Sequence, residues 1–181
     1  MITHKGSVTL ETERLVLRGL RLEDAEVVFR NWARDEDVAR FMRWNVHTDI
    51  EATRQWLKEC EEIAKDPTRY EWGIILKETQ EPIGSIGSFI SGDEPNRYEV
   101  GYCLGKKYWG CGLATEALLC VMNFLTKSVG LKHFICCHAL DNSASGTVMV
   151  HAGFRYVRDG IYESFDGLKK FDSRVYYLDL G

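Results

Sequence analysis

Three short β-rich stretches, YEWGIILK, PIGSIGSFI and RYEVGYCL, follow one another between Tyr70 and Leu104. Only the turn-forming segments ETQE and SGDEPN separate them. Connections this short allow only antiparallel neighbours, so the middle of the chain is a meander. Beyond Leu104 the pattern changes: ATEALLCVMNFLTKSV places Ala114, Ala117, Leu118, Val121, Met122 and Leu125 on one helical face, and KHFICCHAL then reads as a buried strand. A strand, helix and strand in this order require parallel strands joined by a right-handed crossover. The sheet is therefore mixed.

The remaining segments fit around that frame. RLVLRGL, residues 14–20, alternates as a strand, and LEDAEVVFRNWA carries Ala25, Val28, Phe29 and Trp32 at helical spacing with acids in its first turn. A second helical stretch covers Asp37 to Met42. A third, preceded by Thr48 or Asp49 as N-cap, sets Ile50, Thr53, Trp56, Leu57, Cys60 and Ile63 on one face. NSASGTVMVHAG is a short helix closed by Gly153, and two strands finish the chain. No repeat or Pro/Ser-rich linker interrupts the 181 residues, so one compact domain is expected, with its core at about residues 12–180.

Charge and cysteine usage narrow the function. The formal net charge of −4 argues against a general nucleic-acid binder. No apolar run is long enough to cross a bilayer and no secretory signal opens the chain, so a soluble cytoplasmic protein with reduced thiols is expected, as monomer or homodimer. HFICCH places only Cys136 and His138 on one face of a strand; a zinc site needs three or four ligands, so no metal is expected.

The stretch YWGCGLATEA sets Gly110 and Gly112 directly before a helix. A helix N-terminus presents unpaired N–H groups and about half a positive charge, and bare glycines let an anion approach them. Residues Trp109 to Ala114 thus form a candidate diphosphate cradle, with Lys106 and Lys107 adding attraction. A tight turn is the more common explanation of a lone pair of glycines, and neither the phosphate-loop nor the dinucleotide pattern is complete.

EVGYCLGKKYWGCGLATEAL followed by LDNSASGTVMVHAGF resembles the GNAT family of acetyl-coenzyme-A-dependent N-acetyltransferases. Within it, the chain is similar to the branch that includes the N-terminal acetyltransferases of ribosomal proteins, and LETERLVLRGLRLEDAEVV resembles that branch's opening strand and helix. The resemblance implies an α+β fold: a mixed, mostly antiparallel sheet of about seven strands, splayed between the fourth and fifth and flanked by four or five helices. It implies that the backbone of Trp109, Gly110, Cys111, Gly112, Leu113 and Ala114 holds the pyrophosphate of acetyl-CoA. The pantetheine arm would pair with backbone around Tyr102, Cys103 and Leu104 and meet Asn142, and Ser145 would lie near the thioester sulfur. Two positions depart from the family pattern, Lys107 before the glycines and His151 before the closing Gly-Phe pair; neither bears on a backbone cradle.

Acetyl transfer to an amine needs a base, an oxyanion donor and an acid for the departing thiolate. Glu99 is the expected base, acting directly or through water, with a backbone N–H near Cys103 as oxyanion donor. Ser145 is the expected acid and Tyr102 the alternative. Arg40 to Asp49 is expected to wall the acceptor pocket, with Trp32, Trp44 and His47 lining it. The acceptor is a protein N-terminus or a small amine; the alternative function is an acyl-CoA-binding sensor or docking module without transfer.

Overall fold

The computed structural model describes all 181 residues. One eight-stranded sheet runs in the order β1-β2-β3-β4-β5-β6-β8-β7. Its strands are β1 (Leu10–Glu11), β2 (Leu15–Arg18), β3 (Tyr70–Leu76), β4 (Glu81–Ile90), β5 (Tyr98–Leu104), β6 (His133–Ala139), β7 (Arg155–Glu163) and β8 (Lys170–Asp179). The count exceeds the expected seven because Leu10 and Glu11 pair with Leu17 and Val16 as a two-residue edge. All pairings are antiparallel except β5 with β6.

The helices divide between the two faces. On one face lie α1 (Ala25–Val28), extended by a tight turn before it and a π-turn over Phe29–Ala33, then α2 (Glu36–Ala39) and α3 (Ile50–Ile63). Asp49 caps α3 by accepting from the Ala52 N–H at 3.0 Å. Leu20, Val28, Trp32, Leu57 and Cys103 form the apolar cluster beneath this layer. On the opposite face lie α4 (Leu113–Asn123), which continues as a π-turn to Val129, and α5 (Ser143–His151). Here the larger cluster forms, because Leu15, Leu17, Trp72, Ile74, Ala117, Leu118, Val121 and Phe134 all turn inward. Trp72 stacks on Tyr70 at 5.9 Å, and Phe124 meets Trp72 edge-on at 6.0 Å. Gly153, at φ +92°, closes α5 in the left-handed conformation expected of it.

The feature that makes a site is a failure of pairing. β5 and β6 join only at Tyr98↔Phe134 and Glu99↔Ile135, then part. Gly105 donates to the Ile83 carbonyl at 2.8 Å, which fixes the alternation along β5. Cys103, Gly101 and Glu99 therefore exchange hydrogen bonds with β4, while Leu104, Tyr102 and Val100 turn their backbone groups towards the gap.

Candidate active site

The gap opens at one end onto the glycine turn. Gly110 (φ +72°) and Gly112 (φ +75°) both adopt the left-handed conformation, which a β-carbon would strain. Gly112 is the N-cap of α4 and brings no capping side chain, so the first turn of the helix keeps its amides unspent. The first bond of the helix is Glu116 N–H to the Gly112 carbonyl, and no amide from Gly110 to Ala114 donates within the chain. Trp109 differs from the expectation: its N–H already donates to the Lys106 carbonyl at 3.2 Å, because a tight turn over Lys106–Tyr108 precedes the cradle. The run of free amides is thus Gly110 to Ala114. Leu113 and Ala114 offer only amides here, since their side chains face the core.

Arg14, which sequence reasoning passed over, braces this turn. Its Nη1 donates to the Cys111 carbonyl at 2.9 Å and its Nε to Glu116 Oε2 at 2.7 Å. Burial works to raise the Glu116 pKa, but hydrogen bonds from Thr12 and from Arg14 outweigh it and hold the carboxyl below its ordinary value. The arginine thereby neutralises an anion that would otherwise sit in the first turn, where a phosphate would bind. Lys106 is ion-paired with Asp37 of α2.

Along the gap, the expected pantetheine partners separate by direction. Tyr102 keeps its N–H and carbonyl towards the opening. Cys103 does not: its backbone faces β4, and its buried thiol lies 3.6 Å from Ser85 Oγ. The Leu104 carbonyl is also taken, by the Trp109 indole N–H at 2.8 Å, which leaves the Leu104 N–H. Of the amides near Cys103, where an oxyanion donor is expected, those of Tyr102 and Leu104 face the gap. Asn142 stands at the N-cap of α5 beside the cavity, with its side chain unbonded to any cap amide. Tyr102 and Ser145 come together: the phenol donates to the Ser145 carbonyl at 2.9 Å and its oxygen lies 3.0 Å from Ser145 Oγ. Burial pushes the Tyr102 phenol well above its usual value, so it serves only as the neutral hydroxyl.

The cavity passes through the gap, from Asn142, Ser145 and Met149 on the α4–α5 side to Arg43, Trp44 and Trp56 on the other. Glu99 lies in it, but its Oε1 is held by Arg43 Nη2 at 2.9 Å. Arg43 also donates to the Glu163 carbonyl at 3.2 Å and spans the Tyr162 ring. The β7–β8 turn clasps the same segment: Phe165 N–H donates to the Arg43 carbonyl, and Lys169 Nζ to the Trp44 carbonyl. Of the three expected acceptor-pocket residues, only Trp44 lines the cavity. Trp32 is 1 % exposed in the core beneath α1, because the helix turns its apolar face to the sheet. His47 stands behind the wall: its ring lies between Trp44 and Trp56, with Nδ1 at 2.8 Å from Thr53 Oγ1. Burial lowers its pKa, which favours the neutral imidazole.

A backbone anion socket joined to a splayed pair of parallel strands is one architecture, and comparison with known proteins agrees. The family model described as Acetyltransferase (GNAT) domain matches residues 14–155. The chain belongs to the GNAT acetyltransferase family. It is an N-acetyltransferase. The N-acetyltransferase p20 of Bacillus licheniformis is 30% identical over 172 residues, covering 95% of each chain. A putative ribosomal-protein-serine acetyltransferase from Vibrio cholerae superposes with a TM-score of 0.83 at 17% identity, covering 97% of this chain and 99% of the other. RimL, a ribosomal L7/L12 α-N-protein acetyltransferase solved with coenzyme A, superposes with a TM-score of 0.81 at 17% identity, covering 96% and 98%. These two likenesses concern the fold.

In this GNAT enzyme the cavity also draws in residues that sequence reasoning gave no individual role, Arg43 falling only within the expected Arg40–Asp49 wall. Arg43, Trp56, Glu71, Gly87 and Tyr162 converge from separate segments of the chain. Helical spacing did mark Trp56 as inward-facing, yet nothing local distinguishes a wall residue from a core residue.

Proposed function

We propose that the protein transfers the acetyl group of acetyl-CoA to a primary amine by direct attack, and that the amine is the N-terminus of a protein. The observation that carries the first part is the set of free amides at Gly110 to Ala114, continuous with the gap where β5 leaves β6. Those amides fit a pyrophosphate, and the free N–H and carbonyl of Tyr102 fit an extended amide arm that pairs like a strand. When bound, the thioester supplies the activated acetyl group.

The chain's own residues then divide the work. Trp44, Trp56 and Phe89 wall the acceptor end. Glu99, fixed by Arg43 through one oxygen, anchors the incoming ammonium with the other. A gap-facing amide of β5 donates to the carbonyl oxygen as charge develops there. The paired hydroxyls of Tyr102 and Ser145 return a proton to the leaving sulfur. No covalent acyl-enzyme is required, since amine and thioester meet in one cavity. The protein N-terminus is favoured by the branch that the sequence resembles and by the ribosomal-protein acetyltransferases that share the fold.

The test is an acetyl-transfer screen with N-terminal peptides and small amines side by side, read by release of free thiol. Faster release with peptides is the expected result. Release only with small amines would move the acceptor, and binding of acetyl-CoA without release would leave a sensor.

A further inference from the structure

Glu71 of β3 is the second carboxylate of the cavity, and it is placed differently from Glu99. The register sets Glu71 beside Gly87 of β4, and Gly87 beside Gly101 of β5. Neither glycine is needed for a left-handed turn; both are extended strand residues. Their bareness clears a floor. A β-carbon on Gly87 would stand 2.5 Å from Glu71 Oε2, so the carboxylate lies across that position. Any other residue at 87 would displace it. A β-carbon at Gly101 would meet nothing within 4 Å, so the floor beyond stays open.

We propose that Glu71 is the general base of the transfer, taking a proton from an acceptor ammonium lying on the floor made by Gly87 and Gly101. The proposal rests on the acetyl-transfer reading above. Three observations support it. The Glu71 oxygens have no hydrogen-bond or ion-pair partner in the chain, whereas Glu99 is engaged by Arg43. The groups that face Glu71 are few: Cys60 from α3, Cys103 from β5, Arg69 in the turn before β3, and the Arg43–Glu99 pair in the same cavity. Burial pushes its carboxyl up to about 7, against a weaker opposing pull from Arg69, and a base titrating there is half-ready at neutral pH.

The protons balance. Glu71 accepts one from R–NH3+ to leave R–NH2, whose nitrogen forms the C–N bond as the thioester carbonyl becomes tetrahedral. Collapse breaks the C–S bond. The nitrogen's second proton passes through the Tyr102–Ser145 hydroxyl pair to the departing thiolate, and Glu71 releases the first to solvent before the next turnover.

The experiment compares wild type, Glu71→Gln, Glu71→Asp and Glu99→Gln on an N-terminal peptide, with kcat/KM followed from pH 5.5 to 9. Wild type is expected to lose rate on the acid side with a midpoint near 7, as the base protonates. Glu71→Gln is expected to lose about 100-fold at pH 8, together with the acid limb, and to keep its affinity for acetyl-CoA by calorimetry. Glu71→Asp should keep the limb at reduced rate, and Glu99→Gln, which weakens acceptor binding, should lower kcat/KM about tenfold yet still show an acid limb. A Glu71→Gln enzyme with the wild-type rate and limb overturns the assignment. A wild type that releases no thiol with any amine overturns the transfer reading instead. Carbon-13 NMR of the Glu71 carboxyl reads the group directly in either case: a midpoint in the ordinary carboxylate range overturns the proposal.

Discussion

The two ends of this site are built from different material. The proposed coenzyme end is main chain: amides of Gly110 to Ala114 and of β5, brought into place by two left-handed glycines and a helix start. The proposed acceptor end is side chain: Arg43, Trp44, Trp56, Glu71 and Glu99 line the cavity there, drawn from an irregular segment, a helix and two strands. A main-chain socket tolerates any residue that keeps the backbone shape. A side-chain cavity changes with every substitution. One fold built this way can keep its coenzyme while its acceptor changes.

The sharpest way to break this contrast is at Gly112. Glu in its place brings a β-carbon at φ +75° and a negative charge into the socket, and acetyl-CoA affinity by calorimetry is expected to fall at least about 100-fold. Unchanged affinity would mean that the amides do not hold the phosphates. At the other end, Glu71 should reveal a cost of function. Its carboxyl titrates near 7 when folded and in the ordinary range when unfolded, so stability is lost as pH rises between those values and stays low above them. Glu71→Gln removes that loss, and its chemical unfolding at pH 8 is expected to gain about 2 kcal/mol over wild type, with no gain at pH 4. A loss at pH 8 would place Glu71 among the structural supports instead.

Glu99→Gln tests the anchor. The acceptor KM is expected to rise about tenfold, with acetyl-CoA affinity unchanged, because the removed charge is paired with Arg43 at the acceptor end, away from the glycine turn. A coenzyme defect in this variant would erase the division between the two ends. The smallest effect is expected for Arg14→Ala, which unties the Cys111 carbonyl and frees Glu116; acetyl-CoA affinity should fall about fivefold, more steeply at low salt.

Legibility followed the same division. The glycine turn, the helix after it and the crossover between parallel strands were all readable, because each rests on local periodicity or on a residue type with one conformational use. The resemblance then extended that reading to Tyr102, Asn142 and Ser145, which do meet at the gap. The side-chain half was read less well. Trp32 and Trp44 look alike in sequence, yet one is core and the other wall. Glu71 carried no local signal that would single it out, and Glu99 showed no sign of the arginine 56 residues earlier that holds it.

What the sequence determined by itself was the order of elements and the place where main-chain amides are left unspent, since both arise from patterns within a few residues. Which carboxylate is paired, which stands free over a glycine floor, and which tryptophan reaches the cavity were decided only when distant segments packed. Those properties belong to pairs of residues, and a pair exists only once the chain has closed on itself.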